Sequence, residues 1–246
     1  MLPVYGLVSS YREGHLVTVA VESLLRFCDK VFCLEGPVGN VDEWAKLVTG
    51  GGEEAGYESE YPKNKHRVFV RHGKGWASDA VKRTDLVRWV QSFDGGPAWG
   101  IILDGDETWI WAEHMRDYLV RSESTHVLGG VKFKLCFEDG QVYETAARTL
   151  RVDAIDEYVL SSYQIRLKGM ATVWTSPIIP ARVPPLQGEP HILHRGYLRP
   201  PKRNEAALRL STHELDDLVA LGIGQPSPEG PLRISVAPKR VIIPGE

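Results

Sequence analysis

The sequence predicts an α/β fold: a three-layer sandwich around a mostly parallel sheet, with antiparallel additions in its C-terminal half. Three observations predict it. Short apolar runs alternate with helical patterns over roughly the first hundred residues, the signature of successive βα units. After Glu107 the alternation gives way to neighbouring strand-like runs. Between the two regimes lies WGIILDGDETWIW, Trp99 to Trp111, in which a short apolar run leads directly into Asp104, Asp106 and Glu107.

The first run, Val4 to Ser9, breaks at Ser-Ser-Tyr-Arg-Glu-Gly, and Val17, Val21, Leu24, Leu25 and Cys28 then recur at helical spacing. Lys30 to Leu34 is a second strand, stopped by Gly36 and Pro37. These pieces make one right-handed, parallel βαβ unit. The glycine-rich acidic segment 49–60 is a surface loop, too polar to pack by itself. His66 to Arg71 alternates as a third strand. A helix follows from Ser78 to Phe93, with Ser78 as its N-cap and Val81, Leu86, Trp89, Val90 and Phe93 as its apolar positions. Trp99 to Leu103 is then the fourth strand.

Past the carboxylates, Glu113 to Arg121 reads as a helix, and Thr125 to Phe137 and Gln141 to Val152 as the arms of a hairpin turning at Glu138-Asp139-Gly140. A proline-rich connection from Pro177 to Pro190 leads into HILHRGYLRPPKR, and Glu205 to Leu221 is a short amphipathic helix. One domain is expected over 1–222, in two halves, 1–110 and 111–222. Residues 223–246 form a Pro/Gly-rich tail.

Composition narrows the function classes. The chain has 246 residues, 43% hydrophobic and 25% charged, enough to bury a sizeable core. Its formal net charge of −3 supplies no overall attraction to nucleic acid, and no nucleic-acid partner is expected. Cys28, Cys33 and Cys136 are odd in number and contain no CxxC pair, so buried reduced thiols are expected rather than a disulfide framework or zinc knuckle. There is no secretory leader pattern and no run approaching the ~20 apolar residues of a membrane span. The expectation is a cytoplasmic protein without a membrane span.

Carboxylates at the carboxyl end of a parallel strand stand where open α/β sheets bind ligands. Alternatively, such acids cap the structure that follows. IILDGDET fits hhhhDxDxT, the first motif of haloacid-dehalogenase-like phosphatases, and that resemblance implies Asp104 as nucleophile and Asp106 as general acid/base. In that family, however, the motif usually lies on the first core strand, whereas here it ends the fourth.

Read along the chain, the sequence resembles GT-A type glycosyltransferases of the large family-2 group. VYGLVSSYREGHLVTVAVESL is similar to that group's first strand and helix, with Arg12-Glu13 in its Asn-Glu position. KVFCLEG resembles its second strand, GWASDAVKRTDLVRWV its basic helix, and IILDGDE its DxD strand. HILHRGYLRPPKR is a weaker echo of a late segment. The resemblance implies a nucleotide-sugar-binding half over 1–110, an acceptor half over 111–222, and transfer of a sugar from a nucleoside-diphosphate sugar to an acceptor hydroxyl on a protein, glycan or lipid-linked molecule. It further implies Mn²⁺ or Mg²⁺, with Asp106 as the direct metal ligand and Asp104 toward the ribose or a metal-bound water. Glu35 would address the nucleoside.

Around these, Lys82 and Arg83 are candidates to approach the diphosphate, with Arg199, Lys202 and Arg203 as further basic groups. His191 and His194 fall on opposite faces of an extended segment, and His194, which matches the echo, is the second metal-ligand candidate. Trp109 and Trp111, beside the motif, are the tryptophans that stand out for stacking on a ligand, with Trp109 a candidate for the acceptor floor; Trp76, Trp99 and Trp174 read as core or rim. An inverting reaction needs a base, and Asp139, Glu144, Asp153, Asp156 and Glu157 are available without a motif that selects one. A non-catalytic nucleotide-sugar-binding protein is the third functional class compatible with this pattern.

Overall fold

Every residue of β1 (Val4–Ser10) is buried in the computed structural model, as a central parallel strand covered on both faces must be. The structure describes residues 1–11, 13, 15–36, 38, 66–73, 75–121, 132–137, 142–146, 148–159, 164–169, 172–174, 179–180 and 183–195. β1 pairs in parallel with β2 (Lys30–Glu35) on one side and β4 (Trp99–Asp104) on the other. β3 (Val68–His72) extends the sheet in parallel beyond β2, and β8 (Thr149–Arg151) closes the far edge antiparallel to β4. The order is β3-β2-β1-β4-β8, which is the mostly parallel sheet with an antiparallel addition that the sequence predicts.

Two helices sandwich this sheet. Val8, Val31, Cys33, Ile101 and Leu103 pack with Val17, Val21 and Leu24 of α1 (His15–Leu25). The alternate residues Tyr5, Leu7, Phe32, Leu34 and Ile102 pack with Leu86, Val87 and Val90 of α2 (Asp79–Asp94). The period-2 alternation of strand side chains thus feeds two separate cores, one on each face.

α2 begins where its sequence says. Ser78 has extended backbone and accepts a hydrogen bond from the Val81 amide, and the helix ends at Gly95 in the left-handed conformation, φ 66°. Its inward face differs from the expected one. Val81 and Phe93 are exposed, 48% and 42%, while Ala80, Lys82, Arg83, Thr84 and Val87 are buried. The cause is that the first turns of α2 pack beside the strand ends, where polar side chains find backbone and carboxylate partners, as described below.

The C-terminal half also departs from a single extended sheet. β5 (Glu107–Ile110), directly after the carboxylates, begins a second sheet with β6 (Lys132–Phe137), β7 (Val142–Ala146), β12 (Ile179–Pro180) and β13 (His191–His194), in the order β12-β7-β6-β13-β5. β6 and β7 pair antiparallel, as the hairpin reading expects. The run 141–152 is not one arm, however: after β7 the chain returns to the first sheet as β8. It then enters a third, antiparallel sheet of β9 (Ile155–Tyr158), β10 (Gln164–Leu167) and β11 (Thr172–Trp174). The expected helix over 113–121 is a 3₁₀ turn, Ala112–His114, running into α3 (Met115–Arg121). No helix among the described residues is long and apolar enough to cross a membrane. Arg12, the loop 49–60, residues 125–131, Asp139 with its turn, Arg199, Lys202, Arg203, the helix expected over 205–221 and the tail 223–246 lie outside the described residues.

Candidate functional site

From β1 the strand order runs outward through β2 to β3 on one side and to β4 on the other, so the sheet changes direction between β1 and β4. Connections leaving adjacent strands in opposite directions open a crevice at the carboxyl ends, the position where open α/β sheets take ligands. Register places the site residues there: Ser9 lies opposite Asp104, and Ser10 opposite Glu35. The candidate site is therefore the rim formed by Ser10, Glu35 and the Asp104-Gly105-Asp106 turn.

The turn is closed from within. The Asp104 amide donates to Glu107 Oε2 at 2.9 Å. The Gly105 amide donates to the Ser9 carbonyl at 3.0 Å, and the Arg195 amide to the Asp106 carbonyl at 2.8 Å. Only glycine fits at the centre: a Cβ on Gly105 would stand 1.9 Å from Glu13 Oε2 and 2.6 Å from Ser10 Cβ. Glu13, buried at the start of α1, thus packs its carboxylate against the middle of the turn.

Two arginines hold the carboxylates at the base of the turn. Arg83 Nη2 donates to Asp104 Oδ1 at 2.7 Å, and Arg83 Nε lies 3.0 Å from Asp79 Oδ2 one helical turn earlier. Burial works against the Arg83 charge, but the Asp104 and Asp79 carboxylates outweigh it and raise the guanidinium pKa. Arg148 forks onto Glu107, Nη1 to Oε2 at 2.9 Å and Nη2 to Oε1 at 2.7 Å. Burial pushes the Glu107 carboxyl above the ordinary carboxylate range, Arg148 pulling against it. Tyr158, whose backbone amide donates to Thr84 Oγ1 of α2, keeps its hydroxyl protonated because burial raises it.

The second sheet delivers the histidine. β13 runs antiparallel to β5 with His194 opposite Glu107, which brings His194 Nε2 to 3.3 Å from Asp106 Oδ2. Asp106 is buried and His194 a quarter exposed. His191, at the other end of β13 opposite Ile110, instead holds the Glu189 carbonyl through Nδ1. Register along β13 thus separates the two histidines.

A divalent ion can be tested against this pair. Two cis ligands of one octahedral ion, each about 2.1 Å from it, stand about 3 Å apart, close to the 3.3 Å between Asp106 Oδ2 and His194 Nε2. Among the described residues no group of three His, Cys, Asp or Glu side chains is arranged to hold a metal ion. The pair could thus supply two ligands of an ion, and its spacing is equally that of a direct histidine–carboxylate contact.

Other expected residues take different places. Glu35 is buried at the end of β2 and accepts from the Ser10 hydroxyl. Lys82 is buried as well, and donates to the Ser10 and Gly36 carbonyls at 2.7 Å each, with its ammonium 5.3 Å from the Trp76 ring centroid. These bonds make it a clip across the ends of β1 and β2, a correction to its expected approach to a diphosphate. Trp109 is 1% exposed and packs edge-on against Phe27 and Phe133. It belongs to the core under α1, so the acceptor-floor role does not fit it; of the two tryptophans beside the motif, Trp111 is the exposed one. Among the candidate bases, Asp153 is forked by Arg151, and Asp156 and Glu157 are paired with Arg166. Glu13, Glu107 and Arg148 are the site residues that sequence reasoning left without a role. Arg148 stands in no motif, and only the pairing of β8 with β4 brings it here.

No protein-family model matches the chain, and no curated protein matches it. Among solved structures, it is similar to TarS of S. aureus, at 9% identity over 56% of this chain and 21% of that one, with a TM-score of 0.33. A structure of TarS residues 1–349 is similar at 9% identity over 55% of this chain and 35% of that one, with a TM-score of 0.34. The matched part is thus about a fifth to a third of those chains. At this level of similarity neither fold nor activity is inferred from them.

Proposed function

We propose that this chain is a glycosyltransferase that moves a sugar from a nucleoside-diphosphate sugar to an acceptor hydroxyl, with Mn²⁺ or Mg²⁺ held by Asp106 and His194. The observation that carries the reading is the meeting of Asp104, Asp106 and His194 at the sheet's switch point, from two different sheets. A divalent ion at this pair would neutralise the charge that develops on a departing diphosphate. The protein's own share is placement. Arg83 holds Asp104 by a charge-assisted bond, and the Asp104 side chain is about a third exposed at the strand end, where a ribose hydroxyl or water could approach it. Glu35, buried at the end of β2 and accepting from the Ser10 hydroxyl, would order the rim on the nucleoside side.

A haloacid-dehalogenase-like phosphohydrolase would need the Asp104 carboxylate to attack phosphorus, and the strand that carries it is the fourth in the chain rather than the first, where that family's motif usually lies. The test is a thermal-shift panel of nucleoside diphosphates and their sugars, each with and without Mn²⁺. Ligands of the native state raise its apparent stability by mass action. The transferase reading expects one base to stabilise the chain in a Mn²⁺-dependent way, and the matching sugar nucleotide to turn over. Binding without turnover toward any acceptor or water would indicate a binding protein. Phosphate release from an aryl phosphate, with beryllofluoride trapped on Asp104, would indicate the hydrolase.

A further inference from the structure

Glu107 and Arg148 form a buried ion pair behind the Asp104-Gly105-Asp106 turn, and neither residue belongs to the metal and nucleotide groups proposed above. Their side chains are 1% and 12% exposed. A buried pair of this kind is poor value for stability, because two desolvation penalties offset the attraction and a well-packed apolar pair does as well. Its geometry, however, is directed at one place. Glu107 Oε2 accepts from both Arg148 Nη1 and the Asp104 amide, while Oε1 accepts from Arg148 Nη2. The carboxylate is thereby fixed in plane by a two-pronged guanidinium and in turn fixes the first residue of the turn.

Arg148 is itself anchored to the strand that carries the turn. It directly precedes β8, which pairs antiparallel with β4, and its carbonyl accepts from the Ile102 amide at 2.8 Å. Main chain and side chain of one residue thus brace β4 at Ile102 and, through Glu107, at Asp104. Glu107 also starts β5, opposite His194. The same residue therefore joins the turn bearing Asp104 and Asp106 to the strand pairing that supplies His194.

We infer that the Arg148–Glu107 pair is a positioning device for the carboxylate turn, setting the placement of Asp104 and of Asp106 relative to His194. For the metal part, the inference rests on the transferase reading; for the turn, it does not. Residues that orient metal ligands from behind change metal affinity about 10–100-fold when altered. Arg148→Lys keeps the charge but cannot fork. Glu107→Gln keeps the shape but replaces one acceptor oxygen by a donor.

Two measurements on the full chain decide the matter. The first is amide hydrogen exchange of the peptide spanning the turn, against peptides from β1 and β2. The second is Mn²⁺ affinity by electron paramagnetic resonance in the presence of the best nucleoside diphosphate. The expected result in both variants is faster exchange confined to the turn, with Mn²⁺ binding weakened about 10–100-fold. Unchanged exchange at the turn in folded variants would overturn the inference. So would a rise shared equally by β1 and β2, which is what a purely structural pair produces. If the wild type binds no Mn²⁺ with any nucleoside diphosphate, the transferase reading falls, and the exchange pattern alone still accepts or rejects the role of the pair.

Discussion

Replacing Gly105 by alanine adds one methyl group at the most crowded point of the carboxylate turn. The new Cβ would lie 1.9 Å from Glu13 Oε2, 2.6 Å from Ser10 Cβ and 3.0 Å from Val17 Cγ2. The Glu13 carboxylate ends a flexible side chain and can swing away. Ser10 Cβ cannot, because it is one bond from the β1 backbone, and the Gly105 amide is tied to the Ser9 carbonyl at 3.0 Å on that same strand. Relief must therefore come from a shift of the turn. Overpacking of this kind costs about 1–3 kcal/mol, and at about 2–4 °C per kcal/mol for a chain of this size the melting temperature should fall by about 2–12 °C. Differential scanning calorimetry of Gly105→Ala measures the fall. Glu13→Ala combined with Gly105→Ala should recover part of it, because the closest clash is gone while the Ser10 contact stays; residues in contact are not additive. A Gly105→Ala variant as stable as wild type, or a double variant whose losses simply add, would refute this account of the turn.

Trp109→Phe should lower the melting temperature while leaving nucleoside-diphosphate binding intact, since the indole is buried against Phe27 and Phe133; Trp109→Ala should cost about 3–5 kcal/mol in chemical denaturation. The thiols should react in a fixed order with an aromatic disulfide reagent. Cys136 is half-buried, while Cys28 and Cys33 are fully buried with thiols pushed up by desolvation, so they should stay inert until the chain unfolds.

The parts of the fold that were legible in the sequence are those whose signal is local. β1, β2, β4 and α2 lie within a residue or two of their expected bounds, because continuous apolar runs mark parallel strands and because Ser78 and Gly95 cap the helix between them. β5 was not legible: four residues, ETWI, pair only with β13, more than eighty positions later, and nothing near them in sequence records that partner. The same non-local pairing creates the Asp106–His194 contact. Lys82 shows how a charge can mislead. A lysine on an amphipathic helix reads as solvent-facing or ligand-facing, yet carbonyls at the ends of β1 and β2 draw it inward. Arg148 had no sequence signal at all, since its partner is defined by the return of β8 to β4.

The central claim is that Asp106, with His194, holds a divalent ion against a nucleoside diphosphate. It is tested most directly by titrating Mn²⁺ into wild type and Asp106→Asn with the best nucleoside diphosphate present, following bound Mn²⁺ by electron paramagnetic resonance. Asparagine keeps the shape of the buried side chain and removes its charge, so the fold should persist. Nucleotide-dependent Mn²⁺ binding should nearly vanish, with Asp104→Asn milder and His194→Ala between the two. Unchanged Mn²⁺ affinity in Asp106→Asn, beside a wild type that binds normally, would contradict the metal role and remove most of the case for a glycosyltransferase.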